Sequence, residues 1–221
     1  MRPSDIQSSF LATDRELSAH VAGSDRIYPP GIRLIAQGER ATNVYFITDG
    51  VVKVSFVEQH GRERICNLRP PGSVIGVEPA LLDIPSLLTA TTITECRARR
   101  FPSDRVREAV KIDGSVAFQI SRLLAQESLD QTAAMVDAAS GTARDRLIHF
   151  LRQIEADLYA AASVTQGNSA LLKRHEIAKL LGITPEHLSR LVKTLQHEGI
   201  VQPDKRQVVL RENNRSTAAS G

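Results

Sequence analysis

The chain has 221 residues, enough to bury one large core or two smaller ones, and 42% of them are apolar, as in a globular protein. No run of about 18 apolar residues suggests a membrane span, and the opening MRPSDIQSSF lacks the apolar stretch of a secretory signal, so a cytoplasmic protein is expected. Two cysteines, Cys66 and Cys96, are too few for a disulfide framework. The net charge of +3 is uneven: 16 basic against 17 acidic residues over 1–140, but 12 against 8 over 141–221. The basic excess lies where binding to phosphates would use it.

Residues 1–24 read as a short helical lead-in with Phe10, Leu11, Leu17 and Val21 as its apolar positions. From Ile27 to Phe101 the texture changes. Short β-branched and apolar runs recur at 33–36, 44–47, 51–57, 64–68, 73–75 and 87–100, separated by glycine and proline turns. Several short strands at such spacing predict an antiparallel sandwich or barrel, with hairpin turns at Asp49-Gly50 and His60-Gly61. Cys66 and Cys96 both fall within strand-like runs and read as small buried hydrophobes.

After Pro102 the period becomes helical. Val106 and Val110 mark a short helix, and Asp113 is placed to cap a long one. The long helix carries Val116, Ile120, Leu123, Leu124, Leu129, Ala133 and Val136 at intervals of three and four, compatible with a coiled-coil seam that Glu127 and Asp130 interrupt. Val116, Ile120, Leu123 and Leu124 are the candidate dimer contacts. Residues 138–141 read as a hinge, and 142–162 as a further helix with Leu147, Phe150, Leu151 and Ile154 inward. A polar loop follows over 163–170.

The stretch RHEIAKLLGITPEHLSRLVK, residues 174–193, carries the sharpest signal. Ile177, Leu180 and Leu181 form one apolar stripe, and Leu188, Leu191 and Val192 form a second. Gly182 stands between them, where a chain leaving a helix turns left-handed. Thr184 can cap the next helix and Pro185 fits its first turn, while small Ala178 allows close approach. Two short helices about a glycine-containing turn predict a helix-turn-helix. Glu186, Ser189 and Arg190 share one face near the start of the second helix, the end that such proteins present to the major groove. Arginine reads guanine, glutamate accepts from cytosine, and serine serves several bases. Thr184, Pro185, His187, Lys193 and Arg174 border that face. Beyond Gly199, residues 200–201 and 208–210 flank a turn with Lys205 and Arg206 at its tip, which reads as a basic β-hairpin wing; 213–221 is small and polar.

Barrel, long helix and winged helix-turn-helix in this order resemble the CRP/FNR family of bacterial transcription regulators, over about residues 25–212. The runs YPPGIRLIAQGE at 28–39 and VYFITDGVVKV at 44–54 are similar to its cyclic-nucleotide-binding barrel. The resemblance implies an α+β architecture: an antiparallel β-roll or jelly-roll sensor over 1–112, a dimerisation helix over 113–139 and a winged helix-turn-helix over 140–221. It also implies a homodimer on double-stranded DNA, with RNA polymerase as a further partner of an activator. Glu186, Ser189 and Arg190 match the Glu-x-x-Ser-Arg pattern of the FNR-like branch, which implies a half-site similar to TTGAT.

The sensor half departs from the pattern. The resemblance places an effector pocket at Gly76, Glu78, Leu88 and Thr89, with Gln131 and Thr132 on the long helix. Leu88 stands where cyclic-AMP binders carry the phosphate-binding arginine, and a leucine cannot neutralise a phosphate. Glu78 is one residue late for the ribose. Cyclic AMP is therefore not expected. Two cysteines cannot build a four-cysteine iron–sulfur cluster. Of the histidines, His187 and His197 form one loose pair on the DNA face, and His20 and His60 leave haem ligation open.

No P-loop, Gly-x-Ser-x-Gly, His-Glu-x-x-His or Cys/His cluster is present, so an enzyme is not expected. The competing reading is a non-catalytic sensor that binds a small molecule or haem and acts through protein partners. The wing and the Glu186/Arg190 face favour the DNA-binding reading over it.

Overall fold

The computed structural model describes residues 3–160 and 174–201. It opens with α1 (Pro3–His20), followed by eight strands: β1 (Ser24–Tyr28), β2 (Arg33–Ile35), β3 (Asn43–Asp49), β4 (Val52–Val57), β5 (Glu63–Arg69), β6 (Val74–Ile75), β7 (Thr89–Thr92) and β8 (Cys96–Pro102). These form two antiparallel four-stranded sheets, ordered β1-β8-β3-β6 and β2-β7-β4-β5. A six-residue helix, α2 (Val77–Leu82), links β6 to β7, and four longer helices follow the sheets: α3 (Ser103–Ile112), α4 (Gly114–Ser140), α5 (Ala143–Ala160) and, later, α6 (Arg174–Leu181). The last described helix is α7 (Pro185–His197).

Alternation along β3 builds two cores at once, because successive side chains point to opposite faces. Tyr45 and Ile47 point between the sheets, where they meet Leu34, Ile35, Val52, Ile75, Ala90, Cys96 and Ala98. Val44 and Phe46 point outward, under a helical layer that contributes Phe10, Leu17 and Val21 from α1 and Val106 and Ala109 from α3. Phe46 stacks at 5.4 Å on both Phe10 and Phe101, an arrangement that adds specific aromatic contact to area burial. Leu11, expected among the buried positions of α1, is exposed.

The strand pattern differs from expectation in three places. β1 was not expected, since its SDRIY sequence is mostly polar and lies at a sheet edge. The run 87–100 is two strands, β7 and β8, in different sheets. Asp49-Gly50 is not a hairpin: β3 pairs with β6 and β8, and β4 with β5 and β7, so Gly50 turns the chain from one sheet to the other. Its φ is +83° and a Cβ there would stand 2.8 Å from the Cα and Sγ of Cys96, so only glycine fits. The His60-Gly61 turn does join paired strands, closed by Glu58 N–H donating to the Arg62 carbonyl at 2.9 Å.

Asp113 caps α4 by accepting from the Ser115 and Val116 N–H groups at 2.7 and 3.1 Å. The N-terminal half of this helix lies against α1, where the Thr13 hydroxyl donates to the Gln119 carbonyl and His20 pairs with Asp113 at 3.1 Å. This placement bears on the expected dimer contacts. Val116, Ile120 and Leu123 are buried in the protomer's own core, and Leu124 packs half-buried on its edge. The exposed apolar side chains are on another face: Phe118 is 60%, Leu129 63% and Val136 60% exposed. The expectation for Cys66 is corrected, since it is exposed on β5, while Cys96 is buried with its thiol donating to the Val51 carbonyl at 3.3 Å.

α4 continues through the expected hinge to Ser140 and leaves only Gly141 and Thr142 before α5. Thr142 and Asp145 form a reciprocal capping box, Asp145 N–H donating to the Thr142 hydroxyl at 3.2 Å and Thr142 N–H to the Asp145 carboxylate at 3.0 Å. The side chain of Ile154, the loop 163–170, the wing at 203–210 with Lys205 and Arg206, and the tail 213–221 lie outside the described residues.

Candidate nucleic-acid interface

The helix-turn-helix is built around a third core. Leu147, Phe150 and Leu151 of α5 meet Ile177, Ala178 and Leu181 of α6, then Leu188, Val192 and Leu195 of α7, with Val201 closing the end. Leu180 and Leu191 pack half-buried at its edge. Gly182 takes φ +67° after α6, and the Ile183 N–H returns to the Ala178 carbonyl at 3.0 Å. Thr184 is extended, and its hydroxyl accepts from the His187 N–H at 3.2 Å while Pro185 occupies the first helical turn.

Burying Leu188, Val192 and Leu195 fixes which side of α7 faces water. Glu186, Arg190 and Lys193 are exposed, and Ser189 and His187 are half-buried beside them. Thr184 and Pro185 are exposed at the helix start, and Arg174 is half-buried at the start of α6. Glu186 is held below the ordinary glutamate range by its own backbone N–H, by the Thr184 hydroxyl and by the Arg190 guanidinium. It is therefore an acceptor at neutral pH, next to a fixed cation. Such a pair can accept from cytosine N4 and donate twice to guanine.

This motif is seated on the β-roll. Lys53 of β4 reaches Glu63 of β5 at 3.1 Å and Glu176 of α6 at 3.2 Å, with Lys179 of α6 3.8 Å from Glu63. Leu68 of β5 and Ile93 pack against the helix-turn-helix core. Arg146 of α5 donates to the Gly141 carbonyl at 3.0 Å and to that of Leu181 at 3.4 Å, joining the α4–α5 connection to the end of α6.

The residues expected at an effector pocket are dispersed in exposure and role. Gly76 is buried at the start of α2, while Glu78 is exposed two residues on, in the first turn. Leu88 is exposed, its N–H and carbonyl both engaged by the Ser86 hydroxyl, and Thr89 accepts from the Gln37 N–H at 3.0 Å. Gln131 and Thr132 are exposed on α4, the Thr132 hydroxyl donating to the Ser128 carbonyl. The charged groups that do meet between barrel and long helix are Arg69 and Glu127, at 3.0 Å. Neither these nor Lys53 and Glu176 carried a sequence signal, because each pair joins elements far apart in the chain. His60 is exposed, and no group of three or more potential metal ligands occurs among the described residues.

Comparison with known proteins agrees with this architecture. The chain matches the cyclic nucleotide-binding domain over residues 25–113 and the Crp-like helix-turn-helix domain over residues 145–214. It is 25% identical over 193 residues to the CRP-like cAMP-activated global transcriptional regulator of Mycobacterium tuberculosis, covering 85% of this chain and 84% of that one. It is 22% identical to the transcriptional activator protein anr of Pseudomonas aeruginosa, over 100% of this chain and 90% of that one. Among solved structures, the c-di-GMP-responsive regulator CLP of Xanthomonas campestris superposes with a TM-score of 0.71 at 23% identity, over 92% of this chain and 100% of that one. FixK2 of Bradyrhizobium japonicum gives 0.71 at 24%, over 90% and 100%. The chain belongs to the CRP/FNR family of transcription regulators, with an antiparallel cyclic-nucleotide-binding-type domain followed by a DNA-binding helix-turn-helix. No helix among the described residues is long and apolar enough to cross a membrane.

Proposed function

We propose that this regulator binds a palindromic, TTGAT-like operator as a homodimer, with residues 1–112 as sensor, 113–139 as dimerisation helix and 140–221 as the DNA-binding unit. The observation that carries the reading is the shared face at the start of a capped helix on which Glu186 and Arg190 are exposed and Ser189 is half-buried. Arg190 holds the guanine of each half-site by two hydrogen bonds, Glu186 accepts from the paired cytosine, and Ser189 meets a neighbouring base. Thr184, His187, Lys193 and Arg174 border the bases and phosphates, and Lys205 and Arg206 of the wing add phosphate contacts. The protein acts on the chromosome, in the cytoplasm, and RNA polymerase is its partner where it activates.

Pairing uses the exposed face of α4. Phe118, Ala125, Leu129, Thr132 and Val136 follow one another at intervals of seven, four, three and four residues, the spacing of a coiled-coil seam. Cyclic AMP is not the effector. A buried phosphate needs a cationic donor, and Leu88 supplies none, while Glu127, with Glu78 near it, sets acidic groups between barrel and long helix.

Selection of binding sites from random DNA tests the reading. A palindrome with TTGAT-like halves, degraded at its guanine by Arg190→Ala, is the expected result. A motif without symmetry, or one indifferent to Arg190, overturns it.

A further inference from the structure

The turn between β4 and β5 stands against the helix-turn-helix. Glu58 and Arg64 line one side of a cleft whose other side runs from Lys179 to Gly182. Gly182 is two residues ahead of the Thr184 cap, so the β4–β5 turn lies at the end of the motif from which α7 starts. α6 keeps Ile177, Ala178 and Leu181 in the core it shares with α7, and its Glu176 and Lys179 meet Lys53 and Glu63 of the hairpin. The turn is closed by the Glu58 N–H donating to the Arg62 carbonyl and the Gly61 N–H to the Glu58 carbonyl, both at 2.9 Å. Burial sorts its charges. Gln59, His60, Arg62 and Arg64 are exposed, whereas Glu58 and Glu63 are half-buried. Both carboxylates are also engaged, Glu58 by Arg64 at 2.6 Å and Glu63 by Lys53 at 3.1 Å. The apex of the turn therefore presents the guanidinium of Arg62 and no exposed carboxylate.

We propose that the β4–β5 turn is an accessory contact to the DNA backbone, with Arg62 meeting a phosphate beside the half-site that α7 reads. A recognition helix enters the groove by its N-terminal end, and the first helix of the motif crosses the backbone. The turn adjoins both, since it packs on α6 and stands at the end where α7 begins. Continuity with that interface favours DNA over an acidic protein surface as the occupant. A guanidinium on a turn already closed by backbone bonds loses little freedom on contact, and phosphate is the acceptor that suits it. The contact carries no sequence information; it fixes how the motif is oriented on the duplex. It also joins the sensor sheet directly to the operator, because the Lys53 bridge to Glu176 holds the hairpin and α6 as one unit. The inference rests on DNA binding by the motif and not on the TTGAT-like sequence.

Fluorescence-anisotropy titration of the full chain tests it, on the duplex that site selection returns and on an unrelated duplex of equal length, from about 50 to about 300 mM salt. Arg62→Ala should weaken binding to both by a similar factor, about five- to tenfold at low salt, and lower the salt slope by about one per protomer. Arg62→Lys should keep the slope, because phosphate accepts either cation, and Arg62→Glu should weaken binding further than Arg62→Ala. Arg190→Ala should instead lose the preference between the two duplexes, so a failure of the operator reading and a failure of this one look different. Arg62 is exposed, and far-ultraviolet circular dichroism verifies that each variant is folded. Affinity and salt slope unchanged in both Arg62→Ala and Arg62→Glu overturn the proposal. So does an Arg62 variant that binds DNA like the unsubstituted protein but loses activation with RNA polymerase, which would assign the turn to a protein partner.

Discussion

Lys53 of β4 and Glu176 of α6 stand 3.2 Å apart across 123 residues of chain, and both are largely buried. Burial pushes the Lys53 ammonium down, but its bonds to Glu63 and Glu176 outweigh that and leave it above its ordinary value. Glu63 is likewise raised by burial and drawn lower on balance, chiefly by its bonds to Lys53 and Ser55. The first helix of the helix-turn-helix is therefore tied to the sensor sheet by a lysine between two carboxylates.

The seat should loosen when either partner is removed. Lys53→Met keeps the stem packed but removes the ammonium between Glu63 and Glu176, and a double-mutant cycle with Glu176→Gln should return a coupling of about 1–2 kcal/mol. The raised Lys53 keeps its contribution below its ordinary value of 10.5, so it is constant around neutrality. The lowered Glu63 contributes above its ordinary 4.5 and loses this as pH falls through its folded value. Proteolysis at Gly141 should accordingly speed up in Lys53→Met at neutral pH. Coupling indistinguishable from zero would show that Leu68 and Ile93 alone hold the motif.

The exposed face of α4 should govern assembly. Leu129→Glu places a charge within the proposed seam and should yield a monomer by light scattering, with operator affinity largely lost. Leu123→Glu makes the contrast, since its side chain is in the protomer core and the variant should lose stability rather than only its partner. A Leu129→Glu protein that remains dimeric would place the interface elsewhere.

These two leucines also show how far the sequence could be read. Both apolar stripes of α4 are visible in it, but nothing local says which meets α1 and which is left outside. That is decided when Phe10 and Leu17 fold over Val116 and Ile120. The helix-turn-helix was legible because its instructions are local: Gly182 turns, Thr184 caps, and Leu188 and Val192 bury one face, which leaves Glu186 and Arg190 outside. The sheets were legible in number and period rather than in pairing. Asp49-Gly50 has the composition of a hairpin, yet the partner of β3 is β8, about fifty residues further on. Glu127 was visible only as a break in the apolar stripe of α4, and its pairing with Arg69 left no trace for the same reason.

Gly50 and Gly61 separate two costs of a side chain at positive φ. At Gly61, φ is +77° with open space beyond, so Gly61→Ala should cost about 1 kcal/mol of conformational strain. At Gly50, φ is +83° and the new methyl meets the backbone of Cys96, so Gly50→Ala should cost about 2–3 kcal/mol. Urea unfolding of the two variants measures both. Equal destabilisation would mean that the sheet corner relaxes around the methyl.

The last prediction concerns the sensor. A cyclic nucleotide held in the barrel needs a cation for its phosphate, and Arg69, which meets α4 at its junction with the barrel, is engaged by Glu127. Freeing it would leave Glu127 beside Glu78 and Asp130 without its counter-charge, in addition to the cost of burying the phosphate. Calorimetry with cyclic AMP or cyclic GMP should thus show no specific heat at millimolar ligand. Leu88→Arg alone should not create a site, because Leu88 lies on an exposed turn shaped by the Ser86 hydroxyl and the acidic groups near α4 remain. Micromolar binding of either nucleotide to the unsubstituted protein would show that Arg69 leaves Glu127 for the phosphate at small cost.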